Sequence, residues 1–288
     1  MSPTPRLALD HRCHLGEAPA WDARERRLLF VDILRGHIHW YDPATAQLET
    51  AEVGQSVGAV VPREKGGYML ALASGFAAFD RASGQLGPLH PIEANDLPGT
   101  RLNDGKCDPA GRFWAGTRSD LPQANGATLH RLDLDGSVTM ALTGVGTSNG
   151  LDWSDDGRRF YFIDTPTGGV DVFEFDASSG TLGTRQRLID IARADGVPDG
   201  MTLDSEGGIW VALLGGGAIR RYTIEGVLDL QIDFPVSLVT SCAFGGEELD
   251  ELYVTSAAHR LTQVEPLAGS LFQCETGFRG RPARMYKG

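Results

Sequence analysis

Apolar residues in this chain recur at alternate positions over short spans and never at helical spacing. No window of about a dozen residues carries them at i, i+3, i+4 and i+7. What recurs instead are short β-type runs: RLLFVDI (27–33), GYMLALA (67–73), RFWAGT (112–117), RFYFIDT (159–165), GIWVALL (208–214) and ELYVTSA (251–257). β-Branched and aromatic residues fill most of these runs, and turn residues bound them. The 37 glycines and 15 prolines are spread along the chain rather than gathered in a linker, so no composition break marks a boundary. The pattern predicts an all-β chain forming a single domain over residues 1–288.

The even spacing of those runs points to a repeat. Three segments align without gaps: NDGKCDPAGRFW from Asn103, NGLDWSDDGRRF from Asn149 and DGMTLDSEGGIW from Asp199. Each begins with a polar residue and reaches Asp or Ser five positions on (Asp108, Ser154, Asp204), followed by a Gly-containing turn and an aromatic strand. EAPAWDARERRL, from Glu17 to Asp22, fits the same frame, while GAVVPREKGGYM from Gly58 and TSCAFGGEELDEL from Thr240 fit it loosely. The six leading positions lie 41 to 50 residues apart. Units of that length, each of about four short strands, predict a six-bladed β-propeller. The N-terminal PRLALDHR is expected to supply the outer strand of the last blade and so remove an exposed edge.

The repeat changes the meaning of Asn149. Asn149-Gly150 first reads as a hairpin turn, although Asp155-Asp156-Gly157 supplies a turn a few residues later. Placed in the repeat, Asn149 shares a ring around one end of the central channel with Glu17, Gly58, Asn103, Asp199 and Thr240. Converging carboxylates repel unless a cation lies between them, so the ring predicts a metal site in the channel. Its candidate ligands are all oxygens: Glu17 and Asp199, Asn149 and, less directly, Asn103. Such a set suits Ca²⁺ first and Mg²⁺ or Mn²⁺ next, and can accept Zn²⁺ or Fe²⁺. Three or four protein ligands leave room for water and substrate.

Charge and cysteine content narrow the partners. With 26 basic against 38 acidic residues the net charge is −12, and no Lys/Arg cluster offers a surface for nucleic acid or anionic membrane. The N-terminus lacks the apolar core of a signal peptide and no 18-residue apolar run follows, so a cytoplasmic protein is expected. Cys13, Cys107, Cys242 and Cys274 are far apart, which speaks for free thiols rather than a zinc ribbon or a disulfide scaffold. No long exposed apolar stripe calls for a partner subunit, and a monomer is expected.

Five stretches together give the chain a close likeness to a known family: LGEAPAW (15–21), RLNDGKCDPAGRFWAGT (101–117), SNGLDWSDDGRRFYFIDT (148–165), PDGMTLDSEGGIWVA (198–212) and GSLFQCETGFRGRPA (269–283). It resembles the SMP-30/gluconolactonase/LRE-like family, which includes regucalcin and sugar lactonases, essentially from end to end. The resemblance implies metal ligands at Glu17, Asn149 and Asp199, substrate contacts at Arg101 and Asn103, and Asp199 as general base. It implies hydrolysis of an aldonolactone of gluconolactone or xylonolactone type. The cation would polarise the lactone carbonyl while Asp199 or water on the cation supplies the activated nucleophile. One departure stands out. Where some family members carry a Glu-Glu pair, this chain reads AGTRSDLPQANG, so Asp120, followed by Leu121, is the partial substitute for a sugar-contacting carboxylate.

Other motifs carry less. His37 and His39 share one face of a strand outside the ring and read as surface or packing histidines. GVGTSNG (144–150) lacks dinucleotide-loop spacing and opens onto a strand. GGG (215–217) reads as a loop within blade five, and no G-x-S-x-G motif supports a serine esterase. Two further function classes remain open: a calcium-binding propeller without catalysis, and an organophosphate or other ester hydrolase on the same scaffold.

Overall fold

The computed structural model describes residues 3–92, 99–119 and 126–288. It contains six four-stranded antiparallel sheets, each formed by strands consecutive in sequence except the last. These are the six blades of a β-propeller. Their innermost strands are Gly16–Asp22, Val57–Pro62, Thr100–Cys107, Ser148–Trp153, Val197–Leu203 and Val239–Gly245. The aromatic runs of the sequence form the second strand of each blade, such as Arg27–Asp32 and Ile209–Leu214.

Sequence patterning explains the radial order. Innermost strands are buried on both faces, as in Val57–Pro62, and carry small or polar residues suited to a narrow channel. Outer strands such as Gln47–Glu52 and Gln85–Pro91 have one face in solvent and a weak hydrophobic signal. Between blades, large rings interlock. Trp40 meets Tyr68 across blades one and two, Phe76 meets Phe113 across two and three, and Trp114 meets Trp153 across three and four. Trp210 meets Phe244 across five and six, and Trp21 stacks on Tyr253 across six and one. Such edge and offset contacts add to the hydrophobic gain of burying the rings.

Two chain ends complete the ring. Arg6–Leu9 pairs antiparallel with Leu271–Glu275, so the N-terminus is the outer strand of blade six, as its sequence predicted. After blade six the chain crosses the end of the channel where the innermost strands finish. Ser205 N donates to Arg279 O, Tyr286 N to Pro62 O and Lys287 N to Gly111 O. This C-terminal strap covers one mouth of the channel and leaves the repeat's leading residues at the other.

Candidate functional site

Every innermost strand loses regular pairing at one place. The register shifts between Glu17 and Ala20, Val57 and Ala59, Leu102 and Gly105, Ser148 and Leu151, Pro198 and Met201, and Val239 and Ser241. The six leading positions of the repeat all fall at these irregularities. A bulge frees a strand residue from the ladder and re-aims its side chain, which is what a ring of inward-facing groups requires. Asn149 therefore sits in a strand rather than in a turn, and the turn falls to Asp155–Gly157. Ala18 takes a φ of 45°, a left-handed conformation that costs energy for a residue with a Cβ. Gly58 has no side chain for steric reasons: a Cβ there would lie 2.1 Å from the carbonyl oxygen of Asn103.

The polar side chains at the bulges form a connected set. Arg101 Nη1 donates to Asn103 Oδ1 at 2.8 Å, and Asn103 Nδ2 donates to Asn149 Oδ1 at 2.8 Å and to Ser148 O at 2.9 Å. Asn149 Nδ2 donates to Thr165 Oγ1 at 2.7 Å, whose hydroxyl donates to Pro198 O beside Asp199. The amide of Asn149 is thus fixed at both ends, leaving one lone pair of Oδ1 for a ligand. Asn103 is more fully engaged and orients Arg101 and Asn149. Thr240 closes the circle by donating to Gly16 O at 2.6 Å.

Glu17 and Asp199 bring two buried carboxyl groups to this end of the channel, and the buried carboxyl of Asp104, in the wall of the cavity beneath the ring, lies close enough to act on both. Burial raises the pKa of Glu17 well above its ordinary value, and the charges of Asp199 and Asp104 push the same way. Burial and the neighbouring Asp104 push Asp199 up to about 8, against the pull of Arg118 and Arg101. Asp104 is raised mainly by burial, although Lys106 opposes the shift. Carboxyls gathered in this way hold their charge only at a cost, and a divalent cation among them would remove it. The donor set is all oxygen and fits a hard cation.

Asp104, Arg118 and Thr165 belong to this site and were not singled out in the sequence. Asp104 projects from the same bulge as Asn103, a place where the repeat frame allots one residue. Arg118 is the cross-strand partner of Arg101, so register rather than any motif places it there. Asp120 lies outside the described residues. His37 and His39 are on the third strand of blade one, away from the ring as expected, and His39 is fully buried rather than a surface residue.

Below the ring, a cavity of about 150 Å³ runs toward the strap, with Asp104, Met201, Cys242 and Arg281 in its wall. Asp152 lies there too. Burial works against its ionisation, but Lys106, Arg281 and Arg284 override that and hold it down at about 2. The channel thus has an acid-rich end at the ring and a basic end at the strap.

A sequence profile of the SMP-30/Gluconolactonase/LRE-like region matches residues 15–258. The chain is 39% identical over 283 residues to regucalcin of Danio rerio, covering 95% of each protein. It is 38% identical over 288 residues to the pentonolactonase of Haloferax volcanii, again covering 95% of each. Among solved structures, regucalcin of Agrobacterium tumefaciens, described as a calcium-binding protein, superposes with a TM-score of 0.93. That match has 28% identity and covers 100% of this chain and 98% of the other.

Proposed function

We propose, from the premise that the chain belongs to the SMP-30/gluconolactonase/LRE-like family, that it hydrolyses a sugar lactone to the open aldonic acid with a divalent cation at the ring. The observation that carries this reading is the convergence of buried Glu17, Asn149 and Asp199 at one end of the channel, with Arg101 linked to Asn149 through Asn103 and the two carboxyls raised in pKa by burial and by neighbouring charge. Similarity to a pentonolactonase supports a lactone as substrate class. Glu17, Asn149 and Asp199 would hold the cation, Ca²⁺ first among the candidates, and when bound it supplies Lewis-acid polarisation of the lactone carbonyl.

The chain's own groups do the rest. Arg101, held by Asn103, presents its guanidinium to the ring hydroxyls, and Arg118 adds a second cation on the same side. Asp199 is the candidate general base. Ionised beside the cation and the two guanidiniums, it would accept the proton of the attacking water through a carboxylate oxygen left free of the metal. Water adds to the acyl carbon, Asp199 takes its proton, and the ring oxygen leaves and is protonated. One water is consumed per lactone opened. Asn103 acts through Arg101 and Asn149, as a positioning residue. The four cysteines are all free, which fits a reducing, cytoplasmic setting, and no helix among the described residues is long and apolar enough to cross a membrane.

The test is turnover after stripping the metal and re-adding Ca²⁺, Mg²⁺, Mn²⁺ and Zn²⁺ singly, on a panel of 1,4- and 1,5-lactones with a pH indicator. Activity lost to chelation and restored by one cation is the expected result. Metal-loaded protein that opens no lactone in the panel would leave a calcium-binding protein without this activity. Faster turnover of a phosphotriester than of any lactone would change the reaction class.

A further inference from the structure

Away from the channel, three potential metal ligands converge where blade six meets blade one. His11 and Cys13 lie on the segment between the N-terminal strand and Gly16–Asp22, and His39 lies on His37–Asp42 of blade one. One ligand atom from each, an imidazole nitrogen of His11, Sγ of Cys13 and an imidazole nitrogen of His39, lies within 4.8 Å of the others. The rings of His11 and His39 meet edge to face with centroids 4.5 Å apart. Nε2 of each is buried and has no hydrogen-bond partner among the described residues. A fully buried imidazole nitrogen left unpaired is costly, and His39 as a whole is 0% exposed.

The surroundings are arranged as metal sites require. Nδ1 of His39 lies 2.9 Å from Thr50 Oγ1. With Nδ1 donating to that hydroxyl, Nε2 carries the free lone pair that a metal takes. The segment bearing His11 and Cys13 is fixed by Asp32, whose carboxylate accepts from His14 N at 2.8 Å and from Leu15 N at 3.2 Å. Cys13 itself is tied to blade six, donating from N to Gly269 O and accepting from Ala258 N. Burial is the main cause lowering both imidazole pKa values, that of His39 to about 3, so neither ring carries a competing proton at neutral pH.

We infer that His11, Cys13 and His39 form a second metal site, for a thiophilic transition-metal ion of the Zn²⁺ class, which pins the N-terminal segment and blade six to blade one. Two imidazoles and a thiolate are a borderline-to-soft set that Zn²⁺ accepts and Ca²⁺ does not. Zn–N and Zn–S bonds of about 2.0–2.1 and 2.3 Å need the ligand atoms to close by roughly an ångström, a movement the half-buried His11 can supply. Burial raises the Cys13 thiol well above its ordinary value, so binding exchanges the thiol proton for the metal and releases that proton to solvent. The half-buried His37 is close by, its ring centroid 5.8 Å from that of His39.

Co²⁺ is the probe, because thiolate ligation gives a charge-transfer absorption that an all-oxygen site cannot. The full chain carrying Asp199→Asn, with the ring site disabled, should show this absorption with one equivalent of Co²⁺. It should also release one proton per ion and melt at a higher temperature with Zn²⁺. Cys13→Ser should abolish the absorption and the Zn²⁺ shift in melting. His11→Ala, at a half-buried position that tolerates truncation, should do the same for the shift. Thr50→Val, on the exposed side, should weaken Zn²⁺ binding about 10–100-fold through the orientation of His39. Absence of the absorption in the Asp199→Asn protein, or its persistence in Cys13→Ser, overturns the assignment. Because these readouts do not involve turnover, failure of the lactonase reading leaves this test intact.

Discussion

Asn149 shows how a single side chain acquires its role here. Its amide nitrogen is committed to Thr165 and its oxygen accepts one hydrogen bond from Asn103, so the group cannot rotate and one lone pair stays aimed at the ring. Asn149→Ala should lower the affinity for the activating cation about 100-fold or more, since even outer-shell changes cost 10–100-fold, and activity should fall with it. Calcium titration and turnover at saturating metal read the two effects. Stability of the metal-free protein should fall by about 2 kcal/mol for the two lost hydrogen bonds, as a denaturant melt would show. The carboxyls make a second prediction. Asp199 has a pKa raised by burial and by Asp104, so the folded state holds its proton more tightly than the unfolded chain. Between its unfolded value near 4 and about 8 the folded state binds more protons, so raising the pH removes stability. Buried His39 and His130, with lowered pKa values, act the other way only below about 6.5. The metal-free protein should therefore lose stability from pH 6.5 to 8, and cation-loaded protein should lose much less. A flat profile without metal would mean the three carboxyls do not act on one another. Glu17, Asn149 and Asp199 were legible because the repeat gave them a common address, whereas Asp104 was not, because a bulge exposes two successive residues and a repeat frame counts one.

In blades one, three, four and five, the same repeat has a structural partner to its ring position: Asp22, Asp108, Ser154 and Asp204. Asp108 and Asp204, five residues further on, close the first hairpin: Oδ1 of Asp108 accepts from Ala110 N and Arg112 N, and Oδ1 of Asp204 from Glu206 N and Gly208 N. Their other oxygens accept the indole N–H of Trp114 and Trp210 from the neighbouring strand, each at 2.9 Å, and pair with Arg112 and Arg221. Ser154 fills the same position in blade four with a neutral hydroxyl that accepts from Arg159 N. The difference is testable. Asp108→Ala strips a buried arginine and an indole of their acceptor and should cost about 3–5 kcal/mol, while Ser154→Ala should cost about 1 kcal/mol. Chemical denaturation of the two variants compares them directly, and equal losses would show that the buried charge contributes nothing beyond the turn. Second strands and their turns could be read from the sequence because apolar runs and turn residues mark them. Outer strands such as Gln47–Glu52 could not, because a strand with one face in solvent and few contacts needs little hydrophobic patterning.

For the molecule as a ring, the decisive joint is where the two ends of the chain meet. Five blades are sewn by consecutive hairpins, but blade six takes its outer strand from Arg6–Leu9, which pairs with Leu271–Glu275 from the far end of the sequence. Side chains reinforce the joint: Arg6 Nε donates to Gln273 Oε1 at 3.2 Å, and Tyr41 of blade one donates its hydroxyl to Ala8 O at 3.0 Å. The N-terminal strand therefore covers the edge of blade six and reaches across to blade one at once. Removing residues 1–9 should uncover the edge of Leu271–Glu275 and forfeit a handful of ladder hydrogen bonds, worth roughly 3 kcal/mol at about 1 kcal/mol each. The melting temperature should fall, and the exposed edge should promote concentration-dependent self-association, since an unpaired strand is a template for another chain. Sedimentation at several concentrations, with a thermal melt of the same samples, reads both. The ring of Glu17, Asn149 and Asp199 lies on innermost strands that the truncation leaves in place, so cation affinity per folded molecule should survive at low temperature. A truncated chain that stays monodisperse and melts as the full chain does would show that the interlocking rings between blades, and not this closing strand, hold the circle shut.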